Sequence, residues 1–223
     1  MSFDALGAGA LDYSPCRYGT SKLLFRGPQR RLDAPYVAFL GGTDTYGKFL
    51  KTPFPALVEQ ELGIDCINLG IPNAGIDVLA QDSFLSQGAG EAVVTVLQIV
   101  GAQNLSNRFY AVHPRRNDRF LTASALLKSI YPEVDFAEFN FTRHLLGRLY
   151  KISPERFAKV RLELQKAWLA RMRLLLRRLT GNVVLVWFSD HAPADDDAAM
   201  PDPSMARDPL FVTRPMLERL SAE

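Results

Sequence analysis

Hydrophobic and polar positions follow two rhythms along this chain. Four short runs are apolar almost throughout: 36–40 (YVAFL), 65–71 (DCINLGI), 92–101 (AVVTVLQIVG) and 182–190 (NVVLVWFSD). Their β-branched and aromatic content predicts buried strands near 36–41, 65–70, 92–100 and 183–189. Near-continuous apolarity is the pattern of parallel strands covered on both faces. Between these runs the apolar positions recur every three or four residues. The longest such stretch, 154–179, aligns Phe157, Val160, Leu164, Trp168, Met172, Leu175 and Leu179, and Gly181 follows it, which predicts a long amphipathic helix with a glycine stop. Shorter helices are predicted from Pro53, with two prolines in its first turn, to Gly63, over 76–85 (IDVLAQDSFL), and around 122–131, 141–150 and 215–222. The polar stretch 102–120 and the acidic, Ala- and Pro-rich tail after Asp190 show neither rhythm.

Strands alternating with helices predict an α/β fold with a parallel sheet covered on both faces. Right-handed crossovers make this a doubly wound three-layer sandwich; the flavodoxin-like order, with the first strand between the second and third, is what a family resemblance given below implies. Residues 1–35, rich in Gly, Pro and Arg, read as an irregular lead-in packed on a single domain spanning 36–223. In such folds ligands bind at the carboxyl ends of the strands. Three polar segments leave those ends: 41–47 (GGTDTYG), 70–75 (GIPNAG) and 101–107 (GAQNLSN).

Composition narrows the function classes. A formal net charge of +2 gives no bulk reason to expect a nucleic-acid partner. Two cysteines, Cys16 and Cys66, are too few for a disulfide framework and are not spaced as metal ligands. The first residues lack a basic segment followed by a long apolar core, and no apolar run reaches the ~18–20 residues of a membrane span. The expectation is a cytoplasmic protein with no metal, cofactor or membrane partner. The Leu-rich stretch 171–179 (RMRLLLRRL) reads as a core stripe with a wet arginine face.

The 41–47 turn admits two chemistries. Gly42-x-x-x-x-Gly47-Lys48 matches a phosphate-binding loop, but the next position needs Ser or Thr for Mg²⁺ and carries Phe49. A nucleotide-binding protein with a degenerate loop is therefore the minor alternative. The second chemistry is a nucleophile on a strand–helix turn. Gly41-Gly42-Thr43-Asp44-Thr45-Tyr46-Gly47, Gly70 in NLGIPNAG and Gly101-Ala102-Gln103-Asn104 follow strands one to three in the order of the SGNH (GDSL-like) hydrolase motifs, which they resemble. The resemblance implies an acyl-ester hydrolase or acyl-transfer enzyme with Thr43 at the nucleophile position. It implies Gly70 and Gln103 or Asn104 as oxyanion donors, and adds Gly42 and Asn73 as neighbouring substrate contacts. The substrate expected is a polar, acylated small molecule such as a carbohydrate ester.

The chain departs from that pattern where catalysis needs it most. Threonine stands for serine, and Gly42 for the acid of the first motif. The final D-x-x-H falls on Asp208-Pro209-Leu210-Phe211, so Phe211 takes the place of the base. A chain shortened at this end, by truncation or in its lineage, would lack the usual Asp and His as well. Of the three histidines, His191 beside Asp190 follows the fourth strand and is the provisional base, while His144 sits in a helical pattern as a structural residue. Arg108, His113, Arg115, Arg116 and Arg119 form a basic cluster; it reads either as a rim for an anionic sugar or acyl-phosphopantetheine group or as solvated side chains paired with Asp118 and other acids. The alternative to weak hydrolysis is a non-catalytic small-molecule or anion-binding module on the same fold. The segments YGTSKLLFRGP, GAQNLSNRFY and HPRRNDRFL also resemble an uncharacterised bacterial domain family with an SGNH-like core, covering nearly the whole chain, which implies no activity.

Overall fold

The structure is a computed structural model describing residues 11–88, 91–179, 181–196 and 202–221. The first ten residues of the lead-in and residues 197–201 of the acidic tail lie outside the described residues. A four-stranded parallel sheet is built from β1 (Tyr36–Gly41), β2 (Asp65–Gly70), β3 (Val94–Gln98) and β6 (Asn182–Val186) in the order β2-β1-β3-β6. The first strand thus lies between the second and third. The two faces of the sheet bury different residues. Ala38, Leu40, Ile67, Leu69 and Leu97 face the main core, while Val37, Phe39 and Cys66 pack against Phe54 and Val58 of α2 (Phe54–Leu62). Helices therefore flank both faces, but the second is covered far more thinly, and Val184 on the edge strand β6 remains half-exposed.

The main core is organised by α7 (Pro154–Arg178). Ser153 caps its first turn by accepting the Arg156 N–H, and Pro154 occupies N1 where no amide partner is lost. Phe157, Val160, Leu164, Trp168, Met172 and Leu175, the stripe read from the sequence, are all buried, each worth about 1.5–3 kcal/mol against exposure. The Trp168 indole donates to Val100 O at 2.8 Å, which fixes the exit of β3. Two short helices follow β2 rather than one: α3 (Ile76–Gln81) and α4 (Ser83–Gly88). Asp82 breaks the run, its Oδ1 accepting the Phe84 and Leu85 N–H groups as an N-cap.

The polar stretch after β3 contains an unexpected antiparallel hairpin, β4 (Tyr110–His113) and β5 (Arg116–Ala123), with register shifts between Ala111 and His113. It overlaps the start of the helix expected at 122–131, which begins later as α5 (Ala125–Ile130). Helices α6 (Thr142–Ile152) and α8 (Arg214–Ser221) fall where the periodicity puts them. Residues 11–35 lie against the domain. Tyr18, Leu23 and Phe25 are buried, and Tyr18 stacks on Phe84 with centroids 5.5 Å apart. Among the described residues, no helix is long and apolar enough to cross a membrane.

Candidate functional site

A cleft of about 1260 Å³ opens at the carboxyl end of the sheet. The turn after β1, which contains the short helix α1 (Thr43–Tyr46), forms one wall. Gly41 is required by close approach: a Cβ there would lie 2.2 Å from Thr45 Oγ1 and 2.6 Å from Gln98 Oε1. Gln98, buried at the end of β3, organises this turn. Its Oε1 accepts the Gly42 N–H (2.9 Å), the Thr45 N–H (3.3 Å) and the Thr45 hydroxyl (2.6 Å), while its Nε2 donates to Asp44 Oδ2 (2.8 Å). Beneath the turn the buried Arg26 donates to the carbonyls of Tyr46, Gly47, Leu50 and Lys51. Its guanidinium carbon lies 4.9 Å from the Tyr13 ring centroid.

Thr43 projects from this turn into the cleft. Its hydroxyl donates to Asn73 Oδ1 (3.3 Å) and accepts the Asn73 backbone N–H (2.9 Å). Asn73 holds a left-handed conformation, φ 58°, which asparagine tolerates better than most residues. Its Nδ2 donates to Asp118 Oδ2 (3.2 Å), carried on β5. The hairpin also supplies Asn117, fully buried, whose Oδ1 accepts the Gly75 and Val78 N–H groups and so caps α3 in place of the side chain Gly75 lacks. Gly75 is held tightly, since a Cβ there would sit 1.7 Å from Asn104 O.

The third wall is the loop after β3. The Gln103 carbonyl accepts the hydroxyl of Tyr110 (2.6 Å), whose pKa burial pushes well up, so it remains a donor. Gln103 Nε2 donates to Asp208 Oδ1 (2.7 Å), and Asn104 Oδ1 accepts the Thr142 hydroxyl (2.6 Å). Asp208 pairs with Arg143 of α6 at 2.8 Å, and Asp190 pairs with Arg207. Ile99, Val100, Trp187 and Phe188 add apolar side chains to the lining. Among the described residues no cluster of His, Cys, Asp and Glu could hold a metal ion.

Thr43, Gly42, Asn73, Gln103, Asn104 and Asp190 thus all line one cleft. Other expected site residues do not. The Gly70 N–H is taken by Asn68 Oδ1 (3.0 Å), and Gly70 serves close packing, with a Cβ there 2.3 Å from Tyr46 N. His191 lies outside the cleft lining, its Nδ1 against Ala192 O (3.0 Å) and its ring edge-on to Trp187. Arg108 leaves to pair with Glu163 (2.9 Å), and His113 and Arg115 bond each other at the hairpin turn (3.2 Å). Asp118 meets Asn73 rather than an arginine. Phe211 is in the core against Phe157.

Three contributors escaped the sequence reading. Gln98 sits inside an apolar strand and looks like a tolerated polar residue. Asp118 belongs to a hairpin the periodicity concealed. His144, the histidine that does line the cleft, rides on α6 beside Phe139 and reads as an ordinary helix position.

A family model described as a domain of unknown function (DUF6473) matches residues 1–223. The chain belongs to the DUF6473 family. No curated protein and no solved structure matches the chain. The DUF6473 match spans the lead-in as well as the sheet, so the Arg26 clamp and the cleft it supports lie within one family unit.

Proposed function

We propose that the cleft is an SGNH-like site that recognises a polar, acylated small molecule, with hydrolysis slow or absent. The observation that carries this reading is the engagement of Thr43. A hydroxyl nucleophile needs a base on its proton, and here the proton points to an amide oxygen, Asn73 Oδ1, which does not take protons. Thr43 acts as a ligand contact held in register by Asn73. The polar lining residues Thr43, Asn73, Gln103 and Asn104 suit the alcohol half of an ester, and the apolar lining residues Val100, Trp187 and Phe188 suit the acyl half.

A second reading, hydrolysis, is favoured by one observation: His144 lines the same cleft. An NMR titration with methyl 6-O-acetylglucoside tests the recognition reading. Saturable shifts of the Asn73 and Asn104 amides and the Trp187 indole are expected, weakened severalfold in Thr43→Ala. Silence of these signals sinks the acyl-sugar reading. Release of acetate that stops in His144→Ala would favour the second.

A further inference from the structure

We infer that β6 pairs with β6 of a second copy of this chain, antiparallel across a two-fold axis, joining two four-stranded sheets into one. The two edges of the sheet are built differently. At β2 the edge is closed: every residue but Asp65 is buried, and Glu59 of α2 accepts the Cys66 N–H at 2.9 Å. At β6 it is open. No residue of this strand is buried, and Val184 is 49% exposed. Val186 O accepts the Ile99 N–H at 2.9 Å, so the polar groups of Val186 point toward β3. By the alternation of an extended strand, those of Val183 and Leu185 point away from it. Neither the ladder with β3 nor any other described backbone group takes them. Edge strands are normally blunted by Lys, Pro, a bulge or an inward-pointing charge. Asn-Val-Val-Leu-Val carries none of these residues, and its register with β3 is unbroken.

These outward groups suit a copy of themselves. With the axis at Val184, Val183 of each copy exchanges both hydrogen bonds with Leu185 of the other. The two Val184 residues then face each other as a non-hydrogen-bonded pair, Cα atoms about 4.5 Å apart. The half-exposed valine thereby gains an apolar cross-strand partner. Charge selects this occupant and this direction. The segment 171–181 leading into β6 has four arginines and no acid, and the segment 189–209 leaving it has six aspartates and one arginine. Some of these are engaged within the chain: Arg171 with Asp77, Arg178 with Ala80 O, Asp190 with Arg207, Asp195 with Arg214 and Asp208 with Arg143. The excess of each sign stays at its own end, with Arg177 exposed at the amino end and Asp190, Asp195 and Asp196 exposed beyond the carboxyl end. Antiparallel pairing sets the basic end of each strand beside the acidic end of the other. Parallel pairing would set like beside like. An unrelated extended peptide gains the ladder hydrogen bonds but not this complementarity at both ends.

Sedimentation equilibrium of the full chain tests the pairing. At about 100 μM the wild type should reach twice the chain mass of 24.9 kDa. Val184→Lys puts two like charges at the axis and should raise the dimer dissociation constant by about tenfold or more. The lysine replaces a half-exposed side chain, and thermal unfolding of the variant checks that the monomer still folds. Raising salt from about 0.05 to 0.5 M should weaken wild-type dimerisation severalfold, because opposite charges are screened. Amide exchange in the wild type decides the matter should the lysine variant fold poorly. The Val183 and Leu185 amides should be protected at about 100 μM and lose that protection on dilution. A wild type that stays at 24.9 kDa, a dimer indifferent to Val184→Lys, tighter association at high salt, growth into open polymers, or Val183 and Leu185 amides indifferent to dilution overturns the inference.

Discussion

The side chain and backbone of Asn73 hold the Thr43 hydroxyl from both sides: Oδ1 accepts its proton at 3.3 Å, and the backbone N–H donates to its oxygen at 2.9 Å. The backbone half of this clasp depends on the left-handed turn at Asn73. Asn73→Gly preserves that turn and the N–H while deleting the side chain. It should leave stability within about 1 kcal/mol of wild type while loosening ligand binding. Asn73→Val, with a β-branched side chain at positive φ, should cost about 1–2 kcal/mol. Urea unfolding of the two variants distinguishes the contributions.

Gln98 is the anchor of the turn that presents Thr43. Gln98→Leu fills similar space but strands the Gly42 N–H, the Thr45 N–H and the Thr45 hydroxyl. Each unpaired buried donor costs about 1–3 kcal/mol. The variant should lose about 3 kcal/mol in chemical denaturation, and the ligand-induced shifts at Asn73 should disappear with the turn's geometry.

Much of the architecture is legible in the sequence, because apolar runs and helical stripes respond to burial, and burial decides strand and helix here. The runs and the crossover rule give a parallel sheet but leave its order open; the placement of β1 between β2 and β3 is the order that the resemblance to SGNH hydrolases implies. The cleft is legible only in outline. Thr43, Asn73, Gln103 and Asn104 leave strand ends, which topology alone directs to one side. Asp118 stays hidden because its hairpin buries Asn117, a polar residue, at an inward position where alternation calls for an apolar one. His144 and His191 exchange expectations for a similar reason: nearness to a strand end in sequence does not fix where a loop turns, whereas α6 carries His144 rigidly to the wall.

Asp77 and Arg171 join α3 to α7 at 3.0 Å, and Asp77 also accepts the Ser106 N–H at 2.7 Å. Asp77 is almost wholly buried, so Arg171→Met leaves an uncompensated carboxylate and should cost about 3–5 kcal/mol. Adding Asp77→Leu should recover part of that loss, since the buried charge goes too, but not all, because Ser106 then lacks its acceptor. A double-mutant cycle by thermal unfolding measures the difference.

Cys66, buried under α2, has its thiol pushed up to about 11, first by desolvation and then by Glu59 and Asp65 nearby. The unfolded chain releases this proton before the folded one does. The folded state therefore keeps its full advantage below about 9 and loses it as pH rises toward about 11. Stability should fall across that window, and Cys66→Ala should flatten the fall while lowering stability at neutral pH. Denaturation midpoints measured from pH 7 to 11 test the sign.

On the proposed reading Thr43 is a recognition residue, its proton committed to an amide rather than a base. The initial rate of 4-nitrophenyl acetate cleavage tests it most directly. Wild type and Thr43→Ala should cleave at indistinguishable rates close to the uncatalysed one, and Thr43→Ser should gain nothing. A wild-type rate that falls by about a hundredfold or more in Thr43→Ala, the scale on which true hydroxyl nucleophiles fail when removed, would contradict the account.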